Sequence, residues 1–392
     1  VYNNYIGLKQ DGQTMLGNRS DGVDMNLGSA GNIVGGLEPG QRNIISGNFS
    51  DGLEVSHSPY TDDFGTDFET KSNKIIGNYI GPSATGGPIT RAGSAEGANS
   101  AMGITLEDNV EGTEIGHNVI SDNGNSGIRM WSRISNSNIH DNKIGVGPDG
   151  VTPMPNGQNI DPKDVRKGHH GIYLVGDSDY NLIANNIIAH NKGYGVLISN
   201  AKTDYGDQEF LATDNNTVRR NSIYGNGDWE YLAPSGFTDT SDDKGIRLKA
   251  QDGDEPNLGM PRPTITRAYS NVVNGTATVA GGGPCAGCIV EVFVADTTTN
   301  FGEGRTFIGE ATTGSDGSFA VPIGGIPAGT MITATATKPS GNVNEPSGNT
   351  SEFAQNKAVE AGPGPSPSPA PSPPPPKPVP TDKLYLPLIR RS

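Results

Sequence analysis

Apolar positions along this chain recur in short triplets and not in helical stripes. The pattern Asn-x-Ile occurs at Asn4-Tyr-Ile6, Asn43-Ile-Ile45, Asn78-Tyr-Ile80, Asn118-Val-Ile120, Asn142-Lys-Ile144, Asn186-Ile-Ile188 and Asn221-Ser-Ile223. A second pattern, Gly-aliphatic-x-apolar, trails each one: Gly22-Val-Asp-Met25, Gly52-Leu-Glu-Val55, Gly103-Ile-Thr-Leu106, Gly127-Ile-Arg-Met130, Gly171-Ile-Tyr-Leu174, Gly195-Val-Leu-Ile198 and Gly245-Ile-Arg-Leu248. A third apolar position stands three residues before most of the asparagines, at Ile75, Ile115, Ile139, Ile183 and Val218. Each repeat thus carries three short strands of period two, separated by Gly or Asn corners. The unit is too short for a strand–helix pair and lacks the close hairpins of an antiparallel barrel. Winding each repeat onto the last predicts parallel sheets with a strand spacing of about 4.8 Å. The inward Val, Leu, Ile and Met then fill a dry cylinder, and each repeat buries its edge only by stacking on its neighbours. About seven such rungs are expected.

The asparagine column has a mechanical reason. Asn tolerates the left-handed corner conformation, and its amide can hydrogen-bond to the same amide one rung away. Asn4, Asn43, Asn78, Asn118, Asn142, Asn186 and Asn221 are therefore read as structural, with Asn48, Asn123, Asn191 and Asn226 as a second corner column.

Together with runs such as Gly31-Asn-Ile-Val-Gly-Gly36 and Arg42-Asn-Ile-Ile-Ser-Gly-Asn48, these columns resemble the pectate-lyase-like superfamily of right-handed parallel β-helices. The resemblance covers about residues 1–258. It implies the fold, and a superfamily that holds lyases, hydrolases, epimerases and adhesins, so activity has to be argued from the site.

The repeat pattern stops near Pro261-Arg-Pro263. Residues 262–355 alternate as six or seven short strands with Gly- and Pro-rich turns, which predicts a small Ig-like β-sandwich acting as spacer or cap. Residues 356–383 form a Pro-rich, extended and disordered stalk. Residues 384–392 are apolar and then basic, resembling a short surface-protein tag, and cell-envelope attachment through this tail is the expectation. The fold class is thus all-β: a parallel β-helix, a small sandwich and a disordered tail.

Composition narrows the partners. Glycine is abundant (56 residues) while apolar residues make up 32%, which suits many short strands and turns better than packed helices. The net charge of −15 repels phosphate backbones, so nucleic acid is not an expected partner. No apolar run approaches a membrane span. The chain starts at Val1 without Met and is read as a mature or truncated fragment of a secreted bacterial protein. Its two cysteines, Cys285 and Cys288, leave open a redox pair, half a zinc site or a tight disulfide. No second pair completes a zinc site and no helix follows, so a local disulfide in an oxidising compartment fits best.

Long insertions before the Gly strand span about 82–101, 148–170 and 227–244, with a shorter one near 7–20. They are expected to wall a groove along the Gly-strand sheet. The floor of that groove is the outward middle residue of each Gly strand: Asp24, Glu54, Thr105, Arg129, Tyr173, Leu197 and Arg247. Arg pairs with uronate carboxylates, and Tyr or Trp stacks on sugar rings. Tyr173, Trp131, Arg247, Asp24 and Glu54 are therefore candidate substrate-binding residues for an extracellular, acidic polysaccharide, with Trp229 as a further stacking candidate. The densest chemistry lies in Asp161-Pro-Lys163-Asp164-Val-Arg166-Lys167-Gly-His169-His170. Uronate lyases need a base beside the carboxylate and a cation or Ca²⁺ to hold the developing charge. Lys163, His169, His170 and Arg129 are the candidate catalytic residues for β-elimination. Alginate epimerases of this fold use an Asp-Pro-His-type motif, whereas Lys163 follows Asp161-Pro162 here. A hydrolase needs paired carboxylates instead, and Asp24 with Glu54 on adjacent rungs is the candidate pair.

Acidic clusters at Asp62, Asp63, Asp67 and Glu69, and at Asp204, Asp207 and Glu209, match no Ca²⁺ loop, though Ca²⁺ is the one cofactor the chemistry invites. His57, His117, His140 and His190 follow no metal-ligand spacing, and His117 and His140, near strand corners, are read as surface residues. The alternative function is a non-catalytic adhesin or envelope protein that uses the β-helix as a rigid rod.

Overall fold

The computed structural model describes residues 1–57, 69–90, 98–159, 168–200, 212–227, 244–250, 255–296, 300–341 and 348–362. Lys163, Trp229, the two acidic clusters apart from Glu69, and residues 384–392 lie outside them.

Three parallel sheets wrap one core. The asparagine sheet orders seven strands from Tyr5–Ile6 to Ser222–Tyr224, and the glycine sheet orders seven from Val23–Met25 to Ile246–Lys249. The third orders six, from Ile33–Gly35 to Thr217–Arg219. Register is kept from turn to turn, so Leu53, Ile104, Ile128, Ile172, Val196 and Ile246 stack in one column. Those side chains are essentially unexposed. Burying each is worth about 1.5–3 kcal/mol, and this one cylinder is the main stabilising feature.

The polar corners are as regular as the core. Nδ2 of Asn43 donates to Asn78 Oδ1 at 2.9 Å, and the same bond runs on through Asn118, Asn142, Asn186 and Asn221 at 3.0–3.1 Å. A second ladder links Asn48, Asn99, Asn123, Asn156, Asn191 and Asn226 at 2.9–3.0 Å. Asn99 and Asn156 complete that ladder from within the long insertions. The glycine column answers a steric demand: a Cβ on Gly127 would stand 2.8 Å from Gly171 O and from an Ile144 methyl.

The described parts of three insertions mostly cover the asparagine sheet, while His170, at the end of the 148–170 insertion, meets Tyr173 on the glycine sheet. Leu8 and Met15 meet Ile89, Ala98 and Ile44 in a small apolar cluster, and Val146 joins Ala189 and Tyr224 in another. This differs from the expected groove wall. The reason is the apolar outward residues of the asparagine sheet, Ile44 and Tyr79, which need a cover of their own.

The C-terminal part is antiparallel. Three strands, Thr264–Ala268, Val272–Thr276 and Ser318–Pro322, form one sheet; Ile289–Ala295, Gly304–Thr312, Met331–Pro339, Gly348–Thr350 and Lys357–Ala358 form the other. A disulfide joins Cys285 to Cys288, both buried against Val273 and Val290. Phe293 and Phe353 belong to the β-helix core itself, closing its last turn. No helix among the described residues is long and apolar enough to cross a membrane.

Candidate functional site on the glycine sheet

The outward middle positions of the glycine strands stand in register: Asp24 beside Glu54, then Thr105, Arg129, Tyr173, Leu197 and Arg247. Two strands apart on such a sheet is about 10 Å. The next outward positions run Ser56, Glu107, Trp131, Val175, Ser199 and Lys249.

The first turns carry acid. Asp21, Asp51 and Glu54 each bring a carboxylate oxygen within 4.8 Å of the other two. The backbone holds two of them. Asp51 N–H donates to Asp21 Oδ1 at 2.8 Å, and Met102 N–H donates to Asp51 Oδ1 at 2.8 Å. Ser20 Oγ donates to Asp21 Oδ2 at 3.1 Å. Asp51 is buried and Glu54 half-buried. Burial pushes the Glu54 carboxyl up to about 7, with the charge of Asp21 adding to it. Burial also raises Asp51 and Glu107, against the pull of Arg129. Thr105, wholly buried, stands beside Asp51, and its hydroxyl makes no hydrogen bond of regular geometry. Asp24 is exposed and accepts from Asn26 Nδ2 at 3.1 Å.

The middle turns are aromatic and cationic. Arg129 Nη2 sits 3.2 Å from Glu107 Oε2, with its Cζ 4.8 Å over the Trp131 ring. Trp131, Tyr173, Val175 and Leu197 pack as one cluster with Tyr194 against it. His170 stacks on Tyr194 at 5.3 Å and meets Tyr173 edge-on at 5.4 Å. Its Nδ1 accepts the Tyr194 N–H at 3.0 Å, which assigns the proton of the neutral ring to Nε2. Burial pushes this imidazole down to about 3, with His169 adding to it, so it is neutral at ordinary pH. His169 is buried. At the far end Arg247 Nη1 lies 3.1 Å from Glu352 Oε1 of the C-terminal part. A cavity of about 360 Å³ at that end, lined by Arg262, Phe301 and Lys357, carries no acid–base pair.

Of the residues singled out in the sequence, Arg129, Trp131, Tyr173 and His170 gather on adjacent turns, Glu54 lies two turns away, and Arg247 is drawn to the capped end. Asp21, Asp51, Glu107 and Tyr194 were not singled out. The signal for the first two is the repeated Asp-Gly at Asp21-Gly22 and Asp51-Gly52, one position before the strands. Two groups among the described residues offer three clustered metal-ligating atoms: Asp21, Asp51 and Glu54, and on another corner His117, His140 and Asp141.

The family model described as right handed beta helix region matches residues 98–238. No curated protein matches the chain. Among solved structures, a periplasmic alginate epimerase is similar at 15% identity and a TM-score of 0.34, over 59% of this chain and 47% of that one. The A-module of an Azotobacter vinelandii mannuronan C-5 epimerase gives 19% identity and a TM-score of 0.26, over 53% of each chain. Full-length tailspike protein 2 of an Escherichia coli O157:H7 bacteriophage gives 10% and 0.27, over 86% of this chain and 59% of that one. The chain thus spans about half the length of the first two structures. Family match and three parallel sheets together establish a right-handed β-helix region followed by antiparallel sheets.

Proposed function

We propose that the protein is a secreted, polysaccharide-processing β-helix protein that cleaves glycosidic bonds by acid–base hydrolysis on its glycine sheet. The observation that carries this reading is the convergence of Asp21, Asp51 and Glu54 within 4.8 Å. Retaining glycosidases hold their two carboxyl groups about 5–5.5 Å apart, and inverting ones about 6.5–9.5 Å. Glu54, raised to about 7, is the general acid. Asp21, held by the Asp51 N–H and Ser20 Oγ, is the nucleophile. Glu54 protonates the leaving glycosidic oxygen while an Asp21 oxygen bonds to the anomeric carbon. Glu54, now a carboxylate, then takes a proton from water, whose oxygen displaces Asp21. Tyr194, half-buried four turns along the sheet, is the ring-stacking group, whereas Trp131 is buried beneath Arg129.

Hydrolysis fits better than β-elimination for two reasons. The Nδ1 lone pair of His170 is taken by the Tyr194 N–H, so it is a poor base. Arg129 and Arg247 are already paired with Glu107 and Glu352, which also loosens the demand for an acidic polymer. The test is a panel of plant, algal and bacterial polysaccharides, with Ca²⁺ or chelator, read for new reducing ends and for ultraviolet-absorbing unsaturated ends. Reducing ends that persist in chelator and fall about 10²–10⁴-fold in Glu54→Gln are expected. Unsaturated products would return the site to His170 and Lys163 and overturn hydrolysis. Activity that needs Ca²⁺ would make the same carboxylates a cation site. The two asparagine ladders and the closed end favour the rod-like adhesin as second reading, which binding without any cleavage would select.

A further inference from the structure

A second constellation lies where the third sheet turns into the asparagine sheet. The residue before five of the ladder asparagines there takes the left-handed conformation: Gly77 (φ 69°), His117 (57°), Asp141 (53°), Asn185 (58°) and Arg220 (50°). Gly and Asn adopt it at little cost. His and Asp are also enriched in this conformation, and they occupy it here on two successive turns, which sets their side chains at one corner. His140 ends the strand Asn138–His140, in register with Gly116. A Cβ on Gly116 would come within 2.7 Å of the His140 ring, so glycine makes the space in which the imidazole lies.

The side chains meet across this corner. His140 Nδ1 is 2.8 Å from Asp141 Oδ2, and His117 Nε2 is 3.9 Å from the same oxygen. The two imidazoles stand edge-on, 5.3 Å between centroids. His140 Nε2 faces Glu114 Oε1 at 3.3 Å, and the other Glu114 oxygen holds Lys74 Nζ.

We propose that His117, His140 and Asp141 form a binding site for a divalent transition metal of the Zn²⁺ class, joining two successive turns of the β-helix. Two imidazoles and a carboxylate are a donor set for Zn²⁺, at bond lengths of about 2.0–2.2 Å. Ligand atoms around a tetrahedral ion at that length stand about 3.3 Å apart. The atoms here are within 4.8 Å, so shifts of about an ångström close the site. His140 donates its Nε2–H to Glu114 Oε1, which leaves the Nδ1 lone pair for the ion, the carboxylate–histidine–metal arrangement that orients such ligands. The corner is open to solvent on the His117 and Asp141 side, leaving the fourth position to water.

The test is titration of the full chain with Zn²⁺ at neutral pH by calorimetry, with Co²⁺ absorption as the geometric probe. One Zn²⁺ per chain at micromolar concentration and a tetrahedral Co²⁺ spectrum are expected. His117→Asn keeps a residue that accepts the left-handed corner, and it should abolish both signals without changing circular dichroism. Glu114→Gln leaves all three ligands and should weaken binding about 10- to 100-fold. The proposal fails if the parent takes up no Zn²⁺, or if His117→Asn and Glu114→Gln bind it as the parent does, which would place the ion elsewhere.

Discussion

Asn226 gives both of its donors to one carboxylate: its backbone N–H meets Glu303 Oε2 at 2.8 Å and its Nδ2 meets Glu303 Oε1 at 2.8 Å. Every asparagine from Asn48 to Asn191 in that ladder donates to the next one, one turn on. Asn226 has no further turn to donate to. The C-terminal part supplies the missing acceptor, and Asn349, Asp296, Glu291 and Glu352 do the same for N–H groups of Asn215, Gly225, Arg220 and Leu248. A parallel sheet leaves such groups open at its end, where they invite pairing with another chain. The C-terminal part is thus chemically a cap, whatever else it carries.

Glu303→Ala should therefore destabilise well beyond the loss of a surface residue. Two buried donors lose their acceptor, at about 1–3 kcal/mol each. Urea unfolding should show a total loss of about 2–6 kcal/mol. A loss below about 0.5 kcal/mol, the range of ordinary surface changes, would show that the ladder does not depend on the cap.

The middle of the other ladder should be equally sensitive. Asn142 Nδ2 donates to Asn186 Oδ1 at 3.0 Å and to Ile115 O at 2.8 Å, while its Oδ1 accepts from Asn118 N and Nδ2 at 3.0 Å. Asn142→Ala strands these partners in a dry interior and should cost about 2–4 kcal/mol by urea titration. Asn142→Asp keeps the shape and the acceptor but loses the donors and adds a charge. It should be no better than Ala at neutral pH, and a variant as stable as the parent would refute the ladder's role.

The cap also buries a carboxylate. Glu291, whose side chain is unexposed, accepts Arg219 Nε at 3.0 Å and Arg220 N–H at 3.0 Å. Burial raises its pKa and Arg219 opposes that rise. Arg219→Met should cost about 1–3 kcal/mol, because it removes the nearer of two guanidinium partners and leaves the buried carboxylate to Arg220, whose Nε is 3.9 Å away. Replacing both residues with Met should recover most of the loss. A raised folded value favours the protonated acid, so the Arg219→Met deficit should be full at neutral pH and narrow as pH falls towards 4.5. A deficit independent of pH would point to lost packing instead.

The scaffold was legible in the sequence because every turn must solve the same problem. Asn-x-Ile and Gly-x-x repeat at each corner and column, and repetition separates a structural demand from chance. The site is not repeated, and that is why it was hard to see. Asp21 and Asp51 precede their glycines at positions held elsewhere by Met102, Ser126 and Tyr194, so no column marked them. His117 and His140 match no metal-ligand spacing within a loop, yet one turn of this helix separates them, and stacking sets them side by side. The cap was equally hidden: Glu303 and Glu291 look like ordinary strand and turn carboxylates until the β-helix end is docked against them. Insertions were misjudged for a related reason. Their apolar residues Leu8, Met15 and Ile89 are few, and only the outward-facing Ile44, buried beneath them, shows which sheet they must cover.

Glu54 offers the sharpest link between stability and the proposed chemistry. Its pKa is raised from 4.5 to about 7 by burial and by Asp21. The folded protein therefore holds a proton that the unfolded chain gives up near 4.5. The protonated acid favours the fold below 4.5, and that advantage is lost as pH rises through 7. Glu54→Gln, neutral at all pH, should thus be more stable than the parent at pH 8 and gain nothing at pH 4. The parent's hydrolysis should fall off as pH rises above about 7, since the general acid has lost its proton. Thermal midpoints and initial rates across pH 4 to 9 check both halves. If the stability gap opens with pH but hydrolysis does not decline above 7, Glu54 is strained at this site without acting as its acid. If the gap is flat, Glu54 titrates like a solvated carboxylate and the acidic cluster is a surface feature.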